Sequence, residues 1–276
     1  MKLKIAVLIC IAILFQSVHS DSSRRKARAM TKAEKQGYGV MKKNYKQMTT
    51  KNFRSDVSMQ LIDADGKTQT RHLKRLSKTD DKDQEKYLLI FTDPPAVRDT
   101  ALLMIEHAER DDDIWFYFPA IKKIKRLSGA NMAASYMGTE FTYKDMKREK
   151  ISPKLNRYVY IRTEKLNSVY HRVIKAYPVS EEEKAEQGYH HRILWIRTDN
   201  HLATRIEFYD KEGDYLKKLE AEDMQEIGDS GKSRYLKMTM TNKKGVKTII
   251  TFNMMRINKE DPDDKFFTKT FITRKR

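Results

Sequence analysis

The chain carries one cysteine, Cys10, and it lies inside the first apolar run, Ile5–Phe15. Lys2 and Lys4 precede that run, and the short polar stretch Gln16–Ser20 follows it, with Val18 and Ser20 at small-residue positions. A basic start, a short apolar core and small residues before a cut are the parts of a secretion signal. The expectation is a signal peptide over residues 1–20 and one mature domain over 21–276. A lipidated cysteine would follow the apolar core, whereas Cys10 sits in its middle and reads as one more apolar residue of a cleaved peptide. The mature chain then has no cysteine, which excludes a disulfide framework, a thiolate metal site and a cysteine nucleophile. No later stretch reaches the roughly 20 apolar residues of a membrane span, so a soluble, exported product is expected.

Other features are scarce. No Pro- or Ser-rich linker splits the chain. There is no G-x-S-x-G, Walker loop, H-E-x-x-H or Gly-rich dinucleotide turn. Acidic residues number 38 against 56 Lys and Arg, a formal charge of +18, or +16 without Lys2 and Lys4. That balance favours acidic partners such as anionic headgroups, a membrane surface or nucleic acid; in an exported protein lipid is the nearer one. A merely solubilising surface produces the same balance.

What is present is β pattern. Tyr87–Asp145 organises the rest, with three apolar runs in quick succession: Tyr87–Thr92, Ala101–His107 and Ile114–Pro119. Apolar runs of this length bounded by turn residues predict strands covered on both sides. Ser55–Asp63 and Leu202–Tyr209 alternate, and Asp65-Gly66, Glu212-Gly213 and Lys244-Gly245 are hairpin turns. Further strands are expected at Thr68–Ser77, Tyr158–Ile161, Val169–Tyr177, His190–Arg197, Tyr215–Ile227, Tyr235–Thr241 and Lys247–Ile257. Thr31 with Glu34 forms a capping-box pattern opening a helix to Met48, with Tyr38, Met41, Tyr45 and Met48 on one face; Gly37 and Gly39 weaken it. Phe141–Glu149 suggests a short helix capped by Thr139 or Thr142. The fold class expected is mainly β: a single curved antiparallel sheet forming a half-open barrel, with a few covering helices, its strands following one another as one long meander.

The order strand, D-P-P-x-x-R-D-T-x-L-L (from Asp93), acidic turn, W-F-Y-F-P-A-I-K-K-I-K-R-L-S-G (from Trp115) and Y-M-G-T-E-F-T-Y-K-D (from Tyr136) resembles the outer-membrane lipoprotein-sorting-like family of LolA/LolB-like periplasmic carriers. The resemblance extends through Ile193–Phe271. Asp99 stands where that pattern has glycine. The resemblance implies a periplasmic half-barrel holding an acyl chain, a first helix covering its mouth, and work alongside an inner-membrane exporter.

The functional expectation is a carrier for a lipid or lipidated protein, without catalysis, cofactor or metal. Met59, Leu61, Trp115, Phe208, Met238 and Phe252 are expected to wall a cavity, and fourteen Met suit a surface that accepts varied apolar ligands. Trp115 is the exception in pattern, since both faces of its strand are apolar. Lys122, Lys123, Lys125 and Arg126 are expected at anionic headgroups or membrane. Two alternatives stand beside this: an envelope scaffold with a filled core, and an enzyme acting on lipid or glycan through carboxylates such as Glu140 and Asp145. A metal at His190-His191 with His171 or His201 is disfavoured, because neighbours on a strand point to opposite faces. Nucleic-acid binding by the basic run beside Trp115–Phe118 is disfavoured by export and by the strand-like character of the aromatics.

Overall fold

The computed structural model describes residues 28–107, 112–147, 153–259 and 261–274, so the expected signal peptide lies outside the described residues. Helix α1 (Lys32–Met48) opens on the expected capping box. Thr31 Oγ1 accepts from Glu34 N at 3.2 Å and Glu34 Oε2 accepts from Thr31 N at 2.8 Å. Its buried residues are Glu34, Gly37, Val40, Met41 and Asn44, while Tyr38 is exposed. The packing face is therefore rotated from the one expected. Size explains the shift: Gly37 has no side chain, and α1 approaches the backbone of Tyr158 and Tyr160 along that line.

The strands are β1 (Asn52–Ile62), β2 (Thr68–Thr79), β3 (Glu85–Asp93), β4 (Ala101–Ile105), β5 (Asp113–Phe118) and β6 (Lys123–Leu127). They continue as β7 (Asn156–Leu166), β8 (Val169–Pro178), β9 (His191–Arg197), β10 (Ala203–Tyr209), β11 (Tyr215–Glu226), β12 (Ser233–Asn242) and β13 (Lys247–Ile257). All join one curved open antiparallel sheet in the order β6-β5-β4-β3-β2-β1-β13-β12-β11-β10-β9-β8-β7. This is not a single running meander. Two meanders, β1–β6 and β7–β13, meet at a central seam where β1 pairs with β13.

That order obliges the chain to travel from the β6 edge to the β7 edge, and residues 128–147 do so over the inner face. The path is visible in its contacts. Tyr136 stacks near Phe91 of β3, Arg71 of β2 donates to Met137 O at 2.9 Å, and Glu140 N donates to Thr248 Oγ1 of β13 at 3.0 Å. Lys217 of β11 then donates to Glu140 O at 2.5 Å. The segment ends in helix α2 (Tyr143–Lys147), capped by Thr142, whose Oγ1 accepts from Asp145 N at 3.0 Å. Helix α3 (Glu181–Gln187) follows β8, with Ser180 Oγ accepting from Glu183 N at its start.

Two cores result. The inner one joins α1, the crossing segment and the inward residues of nearly every strand. A smaller outer one packs Leu88, Ala101, Leu103 and Tyr117 under Phe267 and Ile272, the latter on helix α4 (Lys269–Thr273). Doubly apolar β3–β5 are thus covered on both faces, as their composition requires. Asp99 has φ +63°, in the left-handed region that accounts for glycine in the related pattern, and aspartate tolerates it better than most residues. Among the described residues no helix is long and apolar enough to cross a membrane.

Candidate functional site

A hollow of about 170 Å³ lies on the inner face beneath α1 and the crossing segment. Met48, Phe141, Leu155, Leu202, Ile206, Phe208, Leu219, Met238, Met240 and Phe252 give it an apolar wall. Asn156, Gln187, Tyr189, Arg192, Glu183 and Asp145 gather at its polar end. A second hollow of about 50 Å³, lined by Val57, Met59, Leu73, Leu89 and Ile250, adjoins it. Phe141, Asp145, Met238 and Phe252 line both and form the partition. Two of these, Phe141 and Asp145, belong to the crossing segment.

The residues named from sequence fall as follows. Phe208, Met238 and Phe252 line the larger hollow, and Met59 the smaller. Leu61 is half-buried against the inner core and lines neither. Trp115 is a correction: it belongs to the outer core, with Lys269 Nζ 4.2 Å above its ring. The cause is strand parity, which sends Ile114 and Phe116 inward and Trp115 and Tyr117 outward. Parity also divides the basic run on edge strand β6. Lys123 and Lys125 pair with Phe118 and Phe116 of the inner face, while Arg126 pairs with Trp115 on the outer one and binds Asp113 at 3.1 Å. Lys122 precedes them with φ +50° and is exposed.

The polar end escaped the sequence reading except for Asp145. Asp145 Oδ2 accepts from Thr142 N at 2.9 Å, Tyr189 Oη at 2.8 Å and Lys217 Nζ at 3.2 Å. Burial pushes its carboxyl up, but the Lys217 ammonium and these hydrogen bonds outweigh it and hold the pKa below the ordinary value. Burial, reinforced by Asp145, holds the Tyr189 phenol well above its ordinary value. The buried carboxylate is thus held by an ammonium, a phenol and a backbone amide, and Glu140 enters the cluster through its backbone oxygen, which accepts from Lys217 Nζ. Beside it Arg192 donates to Asn156 Oδ1 at 3.1 Å and Gln187 Oε1 at 2.9 Å. Lys144 binds Glu183 at 3.2 Å and Glu186 at 2.5 Å. One signal for Lys217 was present in the sequence: it shares an alternating register with Leu219 and Ala221.

His190 and His191 differ from expectation. His190 precedes β9, so its ring is free of strand parity and its Nδ1 lies 2.8 Å from that of His191. Burial first, then Lys175, lowers His191 to about 4. Among the described residues no three His, Cys, Asp or Glu gather as metal ligands.

An open curved antiparallel sheet with helices and a crossing segment over its inner face defines the LolA-like half-barrel class. A family model whose description reads only "Uncharacterized protein" matches residues 83–274, more than half the chain. The chain belongs to that family, and its structure matches outer-membrane lipoprotein-sorting, DUF1329 family and LolA superfamily proteins. A proposed outer membrane lipoprotein-sorting protein domain from Vibrio parahaemolyticus is 26% identical with TM-score 0.79, covering 87% of this chain and 100% of that one. A DUF1329 family protein from Desulfovibrio piger is 26% identical with TM-score 0.80, covering 88% and 100%. A LolA superfamily protein from Nitrosomonas europaea shares the fold at 20% identity and TM-score 0.68, covering 85% and 98%. No curated protein matches.

Proposed function

We propose that the protein is an exported, periplasmic carrier that holds an acyl chain of a lipid or lipidated protein on the inner face of its sheet. Binding is its whole mechanism; no bond is made or broken. The observation that carries this reading is the apolar hollow, which a scaffold with a filled core would close. Each buried methylene contributes about 0.8 kcal/mol, so a chain supplies most of the affinity. An apolar cavity of about 150 Å³ admits a benzene-sized group. The larger hollow is of that order, so a longer chain requires the crossing segment to lift and merge the two spaces. The names of the related proteins from Vibrio and Nitrosomonas support the same reading.

The exposed basic edge around Lys122, Lys123 and Lys125 is suited to an anionic membrane surface, and an inner-membrane exporter is the partner the reading calls for. Mass spectrometry of lipids co-purifying from the native envelope, with displacement of a fluorescent fatty acid by the recovered lipid, tests it. A protein that carries no lipid and binds no dye would refute it.

A further inference from the structure

Lys217 is out of place by composition. It stands on β11 facing Phe208 of β10, which in turn faces Arg192 of β9, so the three share one row on the inner face. Lys217 is 4% exposed, and its ammonium lies 5.2 Å from the Phe208 ring and 5.3 Å from the Tyr189 ring. A buried ammonium in apolar surroundings is costly unless it is paired. Its acidic partner comes from outside the sheet, because Asp145 arrives on the crossing segment.

Three donors converge on Asp145 Oδ2. Thr142 N travels with the crossing segment, whereas Tyr189 and Lys217 belong to the framework. Tyr189 and Arg192 line one end of the apolar hollow, and Lys217, which lines neither hollow, stands behind Asp145 and would face that end if the segment withdrew. Arg192 donates to two neutral amides, and no carboxylate pairs with it among the described residues. Glu183, the acid of α3 at this end, is engaged by Lys144 and Gln187.

We infer that the cavity selects an acyl chain ending in a carboxylate, and that Asp145 holds the place of that carboxylate while the cavity is unloaded. This rests on the carrier reading above. A chain carboxylate supplies the charge and acceptors that Asp145 supplies now, whereas an alcohol or amide head leaves Lys217 buried without an opposite charge. Such an uncompensated group is what lets a site reject an analogue. One movement serves both needs, since withdrawing Asp145 and Phe141 vacates the acid position and takes away the crossing segment's half of the partition, leaving Met238 and Phe252 on the sheet between the hollows.

The test compares dodecanoate with dodecanol on the full mature protein at pH 8, by calorimetry. Dodecanoate is expected to bind at least tenfold more tightly, and Asp145→Asn should raise its affinity several-fold by removing the competing charge. Pairing Asp145→Asn with Lys217→Met should cut the acid-to-alcohol ratio several-fold without leaving Lys217 or Asp145 buried and unpaired, the remainder coming from Arg192. Equal affinities in the unmutated protein would overturn the headgroup assignment and leave the carrier reading standing; that comparison needs no variant to fold. A double variant that folds and keeps the acid preference undiminished would also overturn it. Failure of both compounds to bind would remove the carrier reading and this inference with it. A dodecyl phosphate arm separates carboxylate from phosphate recognition, and tighter binding of the phosphate would refute the choice of a carboxylate.

Discussion

Two glycines two residues apart on α1 should respond to alanine with opposite signs. An ideal Cβ on Gly37 would sit 2.8 Å from Tyr158 O and 2.9 Å from Tyr158 C and Tyr160 N. All three are backbone atoms of β7, so no side chain can swing aside. The helix would have to back away by about 0.6 Å to reach ordinary contact, losing dispersion along its length. At Gly39 a Cβ meets nothing within 4 Å. Replacing glycine by alanine in a helix interior gains about 0.8–1 kcal/mol from propensity alone, and overpacking costs about 1–3 kcal/mol. Gly39→Ala should therefore stabilise by nearly 1 kcal/mol, while Gly37→Ala should be destabilising by about 1 kcal/mol, so that the pair differ by about 2. Urea midpoints at constant m-value measure both. The helix is also tied down by Asn44 Nδ2 donating to His201 O at 2.7 Å and Arg234 donating to Gln47 O and Met48 O. It cannot tilt freely to relieve the contact. Equal stabilisation by both substitutions would refute the close approach of α1 to β7.

Phe208→Trp fills the larger hollow; uptake of a fluorescent fatty acid should fall at little cost in stability, whereas a destabilisation of about 1–3 kcal/mol in a protein that never bound the dye would mean a packed core. Changing Lys122, Lys123, Lys125 and Arg126 together to Gln should weaken binding to anionic vesicles at low salt, since such attraction is screened over about 8 Å at physiological ionic strength; unchanged binding makes the run a solvated strand edge. The folded pKa of Asp145 is depressed, so its stabilising contribution is present above the unfolded value of about 3.9 and disappears as pH falls through the folded one. Asp145→Asn should accordingly flatten the acid side of a stability–pH curve, and an unchanged slope would show that the Lys217 pair contributes nothing to it.

The strands were legible because one face of each is apolar, and alternation survives without tertiary information. What failed was parity wherever both faces are apolar or a bulge intervenes. Trp115 belongs to the first kind. A bulge in β13 does the same: the register with β1 skips Asn253, so that Met255 and Ile257, the latter in step with Phe53, follow Phe252 on the inner core. A shift of one residue exchanges faces. The apolar wall was therefore partly readable, through Phe208, Met238 and Phe252. Its polar end was not, because Asp145, Tyr189 with Arg192, and Lys217 come from three separate stretches that only the strand order brings together. β6 was missed for a related reason, since its exposed Lys123, Lys125 and Arg126 leave too little apolar pattern to mark a strand.

The central seam has a kinetic consequence. Phe53 pairs with Ile257, so about 200 residues separate the two sides of the join, and contacts of such long range form slowly. Each half of the sheet can assemble locally, hairpin upon hairpin, outward from β1 or inward from β7. The middle of the molecule is then the last part to close. Until β13 emerges, β1 exposes an unpaired edge long enough to capture another chain. A nascent molecule is thus most vulnerable at what becomes the best-protected line of its finished sheet, and its yield on refolding should fall steeply as protein concentration rises.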